Sequence, residues 1–570
     1  MNDIRRTMLW VVFGLSLVML WDQWQVYNGR KTTFFPSPTP VVAQDAKATP
    51  ASGVPSAVPS ATNTAATGSD ITKATAGLNA QNAAQTPHET IVAQNDVLKV
   101  TFDTEGGSVV RTEFLKHIDM ADKSRDFVLL DDSASRVYMA QSGLIAANGG
   151  PALPTHKSVM TLAPGERSLK DGSQTLEVRF ESAEVGGVKL IKTYTFQRGS
   201  YALAVKYEIV NVGSTPVVPQ VYLQLVRDGN KPPGESKFYS TFTGPAVYTE
   251  AKKYQKVNFE DIEKNKVDVE KTATNGYVAM VQHYFASAWL LGDGIRRELF
   301  LRKVDTNLYS VGMIAPLAEL APGARETLDA TLFAGPQEEG VLSALAPGLE
   351  LVKDYGWLTM LAKPLYWLLV QLHHVIANWG WSIMALVLLL KIAFYWLNAK
   401  AYASMAKMKA VNPKVTEMRE RLKDNPQKMQ QEMMRIYREE KVNPLGGCFP
   451  IMIQIPVFIA LYWVLLSSVE MRNTPWLGWI HDLSSPDPYF ILPIIMTLTT
   501  VLQTSLNPAP PDPLQAKMMW FMPLAFSVMF FFFPAGLVLY WITNNILSIA
   551  QQWVINTRMG VPPKFHFPKF

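Results

Sequence analysis

Cysteine is almost missing from this chain of 570 residues: Cys448 is the only one, and it stands at the start of an apolar run. No intramolecular disulfide can form, and no Cys-x-x-Cys or Cys/His zinc spacing exists. A large aqueous domain in this chain must fold on core packing alone. An excess of one charge sign is also missing. The formal net charge is +5, modest for this length, and with no nucleic-acid motif present it argues against direct nucleic-acid binding. The chain has no serine-nucleophile motif, no phosphate loop and no His-Glu-x-x-His. His117 and His283 are candidates for a carbohydrate-enzyme site, and nothing in the sequence brings them together. No metal, cofactor or covalent chemistry is expected.

What the chain has is apolar length. Hydrophobic residues make up 48%, too few for an all-membrane protein, and the chain is too long for one compact domain. A mixed chain with membrane and aqueous parts follows. Residues 1–27 carry Arg5 and Arg6, an apolar run from Met8 to Leu20, and then Trp21 and Trp24. Basic residues before the run favour a cytoplasmic N-terminus, and tryptophans suit the far interface. No small-x-small site follows closely, so an uncleaved signal anchor is expected rather than a cleaved signal peptide. A twin-arginine export signal rests on Arg5-Arg6 alone. Residues 28–89 are rich in Pro, Ala, Ser, Thr and Gln and read as a disordered tether.

From 90 to 345 the apolar period is two. Leu98, Val100 and Phe102 alternate, as do Leu176, Val178 and Phe180, and Tyr201, Leu203, Val205, Tyr207 and Ile209. Leu190, Tyr194 and Phe196 share a face on which Lys192 is an exception. Many strands with Gly and Pro turns predict a β-sandwich. Residues 346–377 turn helical, with Trp357, Leu361, Leu365, Leu368 and Leu372 at helical spacing, and read as an amphipathic helix on the membrane surface. His373-His374 could bind metal, but adjacent helix residues point apart, so interface solvation is preferred.

Five apolar stretches follow, at 378–398, 446–468, 488–506, 518–533 and 534–556, with connections at 469–487 and 507–517 and a tail at 557–570. With the anchor this makes six spans. The stretch 518–533 is short against the roughly 20 residues a span needs, and Pro523 weakens it, so local bilayer thinning is expected. The loop 399–445 is rich in Lys and Arg and is expected in the cytoplasm, which puts the β domain outside and both chain ends inside. This loop reads as a helical hairpin turning at Lys423-Asp-Asn-Pro426. It carries Met405, Met408, Met418, Met429, Met433 and Met434, which either fill the seam between its helices or offer a surface for varied apolar partners.

Lys391 lies deep inside the stretch 378–398. A charge at such depth costs on the order of 3 kcal/mol and marks a working site by default. Tyr395 and Asn398 follow at four and seven residues, which predicts one shared helix face. No Asp or Glu occurs inside the later apolar stretches, so a structural ion pair is disfavoured. Proton or ion carriage, or attraction of acidic groups on a passing client in a wet groove, remain, and the missing carboxylate favours the second. Gln454, Gln503, Thr543, Asn544, Asn545, Gln551 and Gln552 add polarity in the later stretches. Some must face a common interior, and Gln551 and Gln552 either join them or lie at the interface.

Several long motifs carry a resemblance. Asp354-Tyr-Gly-Trp357, Lys441-Val-Asn-Pro-Leu-Gly-Gly-Cys-Phe-Pro450, Gln454-Ile-Pro456, Trp479-Ile-His-Asp-Leu483 and Phe533-Pro-Ala-Gly-Leu-Val-Leu-Tyr540 are similar to the YidC/Oxa/Alb family of membrane protein insertases, in its Gram-negative form with a large periplasmic domain. The resemblance covers the five-span core densely and extends in layout to the anchor, tether and β domain. It implies an inner-membrane insertase and chaperone that inserts, folds and helps assemble integral membrane proteins, alone or with the Sec translocase. It implies a periplasmic supersandwich similar to sugar-modifying folds but without their activity, and a groove open to cytoplasm and lipid. Lys391 would be the groove charge, with Tyr395, Gln454, Tyr540, Trp541 and Asn544 as its lining and the hairpin methionines as the client-receiving part. Nascent membrane proteins, SecD, the ribosome and signal-recognition machinery, and lipid are the implied partners. The short tail departs from members with a long basic, ribosome-binding one. Arginine is frequent where Lys391 stands, so the charge is kept while bidentate geometry is lost. Val387 and Trp541 replace more polar residues of some members, which implies a less polar groove. A lysine-coupled transporter is the rival reading and predicts inverted repeats and broken helices; a membrane-anchored carbohydrate enzyme is a second.

Overall fold

The computed structural model describes residues 89–119, 122–147, 150–233, 241–422, 425–440, 448–507, 513–558, 560 and 565. The expected anchor, nearly all of the tether and most of the tail lie outside these residues.

Among the described residues, eighteen strands between Thr90 and Pro336 form two nine-stranded sheets. Alternation explains how they face each other. The strand Leu98–Asp103 buries Leu98, Val100 and Phe102 completely, and Thr175–Ser182, in the other sheet, buries Leu176, Val178 and Phe180. The two sets meet between the sheets, where the Phe102 ring lies 5.4 Å from Phe180 and 4.8 Å from Tyr194. Each large aromatic side chain buried in such a core removes a large apolar area from water. The strands Tyr277–Gln282 and Phe285–Leu291 are buried throughout. Their second face is covered by helix α2 (Glu339–Leu345, after the short α1 at Phe259–Glu263) and the turn Leu349–Val352, which pack on Ala279, Val281, Ala286 and Ala288.

Lys192 resolves its own anomaly. It stands in the strand Val188–Gln197, is fully buried between the sheets, and its Nζ donates to the carbonyls of Gly106 (2.6 Å) and Ser142 (2.8 Å) and to the Ser142 hydroxyl (2.8 Å). It ties the Gly106-Gly107 turn to the neighbouring strand.

After the sandwich the chain is helical: α3 (Thr359–Ile376), α4 (Trp379–Ala393), α5 (Tyr395–Arg421), α6 (Pro426–Glu439), α7 (Cys448–Ser467), α8 (Ile491–Leu506), α9 (Pro513–Met529) and α10 (Ala535–Arg558). Helix α3 buries Ala362, Tyr366 and Leu369 against the other helices and exposes Met360, Trp367 and Val375. Asn378 caps α4 by accepting from the Trp381 N–H at 3.2 Å, and Gly380 leaves room for Trp476, whose ring would lie 2.2 Å from any Cβ there.

The described residues do not by themselves show six complete spans. Among the described residues no single helix is long and apolar enough to cross a membrane. The segments Trp379–Ala393 and Tyr395–Ser404 pass together, but with a 65° bend between them, and Ile455–Ser467, Ile491–Leu506 and Lys517–Phe532 are shorter apolar helices. Polar residues dilute α10, which carries Thr543, Asn544, Asn545, Gln551 and Gln552.

Sandwich and helices are joined through the segment after α7. Glu470 pairs with Lys353 (3.1 Å), whose side chain is fully covered, and accepts from the Tyr366 hydroxyl. His283 bonds the Leu466 carbonyl at 3.0 Å. The Arg472 guanidinium donates to the Ile118 carbonyl at 2.7 Å and lies 5.0–5.5 Å from the ring centres of Phe285, Phe127 and Tyr284. His117 and His283 thus sit at this junction, not in a sugar cleft. Burial, and next the Arg472 charge, hold both imidazoles down to about 4, so they are neutral at pH 7. A guanidinium boxed by three rings and one carbonyl is worth about 2 kcal/mol. Arg472→Ala should therefore raise hydrogen exchange around Ile118 and over 468–473 while the sandwich core stays protected; unchanged exchange there would show that the aromatic box does not hold the junction.

Candidate functional site

The site forms where α4 stops. Lys391 is in the last turn of α4, and the chain breaks at Phe394 before α5 begins. Lys391 is 5% exposed, and its Nζ donates to the Ser548 hydroxyl of α10 at 2.7 Å. Ser548 in turn donates to the Asn544 carbonyl one turn earlier, at 2.7 Å. Among the described residues no carboxylate forms an ion pair with Lys391. The ammonium, with three protons to give, is therefore held by neutral oxygen alone. Beside it lies a narrow cleft of about 20 Å³ between Lys391, Asn398, Phe458, Tyr540 and Asn544. That is room for about one water.

The predicted face of Lys391, Tyr395 and Asn398 is corrected by the break. Asn398 stays with Lys391, 7% exposed, and its amide donates to Gln551 at 3.2 Å. Tyr395 falls on the outside, 39% exposed, beside Trp396 and Ile392. A helical period cannot be carried through a 65° bend.

Tyr540 is buried against Phe458, with ring centres 5.3 Å apart. Trp541 stacks on the same Phe458 at 4.3 Å and touches Phe530 at 4.5 Å. Asn544 lines the cleft. The side chain of Gln454 lies outside the described residues, as do those of Met405 and Met408. In the hairpin, Met418 is buried with Val411 and Val415, and Met429 and Met433 pack on them from α6, so these three fill the seam. Met434 is exposed, at 52%. Asn425 caps α6 by accepting from the Lys428 N–H at 3.1 Å, with Pro426 in its first turn. His373 stacks on Trp379 at 4.0 Å, a packing role.

Sequence reading missed Ser548 and left Gln551 undecided. A signal existed: Tyr540, Asn544, Ser548 and Gln551 recur at four, four and three residues, one stripe of α10. Asn545, on another face, binds the Thr499 and Thr500 hydroxyls of α8 at 3.3 and 3.0 Å and joins helices instead.

Residues 90–368 match the model of the YidC periplasmic domain, and residues 371–561 that of the 60Kd inner membrane protein family. A membrane protein insertase YidC from Cupriavidus taiwanensis is 57% identical over 558 residues, which cover 98% of each chain. One from Janthinobacterium sp. is 52% identical over 579 residues, covering 98% of this chain and all of its own. A crystal structure of an active YidC insertase with its first transmembrane domain resolved is 19% identical, covers 81% of this chain and 91% of that one, and has a TM-score of 0.36.

Proposed function

The chain belongs to the YidC family of membrane protein insertases, and from that premise we propose how its own residues carry out insertion. It is an inner-membrane insertase and chaperone that acts on nascent membrane proteins, and it is not an enzyme. The mechanism is barrier lowering. A polar segment of the client enters from the cytoplasm, its acidic groups take the Lys391 ammonium from Ser548, and the apolar part leaves sideways into lipid. A carboxylate adds the attraction of a second full charge to what a neutral hydroxyl offers the ammonium, so the exchange favours an acidic client. Short apolar helices such as Ile491–Leu506 thin the bilayer and shorten the polar path. The observation that carries this reading is a nearly buried lysine whose bond is to a serine.

The wider arrangement belongs to the same proposal. Six spans with both termini in the cytoplasm, the Met-bearing hairpin as receiver of clients from ribosome and signal-recognition machinery, and the sandwich beside SecD in the Sec translocase follow from the charge pattern and the family resemblance. The lysine-coupled transporter has no counterpart among the relatives above.

Purified protein in lipid vesicles tests the mechanism. Two single-span clients are compared, one with two acidic residues in its translocated segment and one with these replaced by Asn and Gln. The acidic client should insert on the order of tenfold faster; equal rates would remove the charge from the mechanism.

A further inference from the structure

The bend between α4 and α5 has no proline or glycine to cause it: residues 391–398 read Lys-Ile-Ala-Phe-Tyr-Trp-Leu-Asn. Sharp kinks need an identifiable cause, and a side chain inserted into the backbone ladder is one. In a continuous helix the Tyr395 N–H would take the Lys391 carbonyl. Here the Gln551 side-chain amide donates to that carbonyl at 3.0 Å, and the Gln551 oxygen accepts from Asn398 at 3.2 Å. One side chain of α10 thereby bonds a carbonyl in the last turn of α4 and a side chain in the first turn of α5. A carbonyl left bare at this depth is costly, so without Gln551 the cheapest repair is to restore the helical bond and straighten the segment.

We infer that Gln551 is a positioning residue for Lys391: it holds the break at Phe394 open, which keeps Lys391 and Asn398 turned together toward α10 and the cleft. This rests on the proposed reading that the Lys391 charge captures clients. It adds that the angle of capture is set from α10, by a residue that touches the lysine only through its backbone. The same contact makes the bend adjustable. A client that draws Asn398 away from Gln551 loosens the hold on α5, the helix that leads directly into the hairpin.

The test uses the full chain in vesicles, with Cys448→Ser and spin labels on cysteines placed at the exposed positions Leu389 and Lys407. Gln551→Leu should lengthen the label distance and cut the acidic-over-neutral client preference by roughly threefold to tenfold. Adding Tyr395→Pro should restore both, because proline has no N–H to give the Lys391 carbonyl and its ring clashes with that carbonyl. An unchanged distance or an unchanged preference in Gln551→Leu overturns the inference. So does a lost preference that Tyr395→Pro fails to restore, since that marks general disruption. In a Lys391→Ala background Gln551→Leu should change the distance but not the preference. If Lys391→Ala alone keeps the full preference, the capture reading fails, and the label distance still decides whether Gln551 holds the bend.

Discussion

Lys391→Ala slows insertion of an acidic client by on the order of tenfold to a hundredfold, while Lys391→Arg stays within about threefold of the parent and a neutral client is indifferent to both. The size comes from two opposing terms. A charge pair at contact in a partly wet site is worth roughly 4 kcal/mol. Against it stand the lost bond to Ser548, 2.7 Å long, and partial desolvation of the incoming carboxylate. About 1.5–3 kcal/mol is left, which is the stated range of rates. Arginine keeps the charge and adds a fork that a carboxylate accepts in pairs, but its longer head group cannot seat on Ser548 in the same way, so some loss is expected. Initial insertion rates, measured by protease protection of the translocated segment, decide the matter. An alanine variant that inserts the acidic client at the parental rate would mean that bilayer thinning and the shape of the cleft carry the activity, and that Lys391 serves something else.

What could be read before the structure, and what could not, divides along the range of the forces involved. Leu98, Val100 and Phe102 announce their strand because one face is buried and the other is not. Tyr277–Gln282 and Phe285–Leu291 announce nothing, because α2 covers the face that would have been polar. Lys391 is legible alone, since the cost of a charge among apolar neighbours is local in sequence. The break three residues later is not: its cause, Gln551, stands 160 positions away. Tyr395 therefore lies away from the face that its spacing predicts. Arg472 is likewise hidden, because the carbonyl it holds belongs to Ile118, 354 positions earlier. Ser548 is hidden for a different reason. A serine in an apolar helix usually bonds its own backbone, as this one does to Asn544, and only the stripe from Tyr540 to Gln551 tells it from the rest.

Lys192 leads to the second large effect, a pH dependence of the sandwich. Among the described residues no carboxylate pairs with its ammonium. Its contacts are the Gly106 and Ser142 carbonyls, the Ser142 hydroxyl and the Tyr207 ring, 5.9 Å away. Burial pushes it down from 10.5 to about 7, because the charged form loses its hydration. In the unfolded chain the same amine keeps its ordinary value. Between pH 7 and 10.5 the unfolded state therefore binds more protons than the folded one, and stability rises with pH across that window. The contribution is complete above 10.5 and is lost as pH falls toward about 7. From pH 7 to pH 10 the gain is roughly 3–4 kcal/mol. Lys192→Met removes the titrating group and the gradient with it, at the cost of leaving the Gly106 carbonyl without its donor. The difference between parent and variant cancels every other group that titrates in the window. Hydrogen exchange of the strands Val188–Gln197 and Ala202–Asn211 in the full chain, at pH 7 and pH 10 and corrected for intrinsic rates, reads that difference. Parallel gradients in the two proteins would mean that the three oxygens around Nζ hold the charge as well as water does.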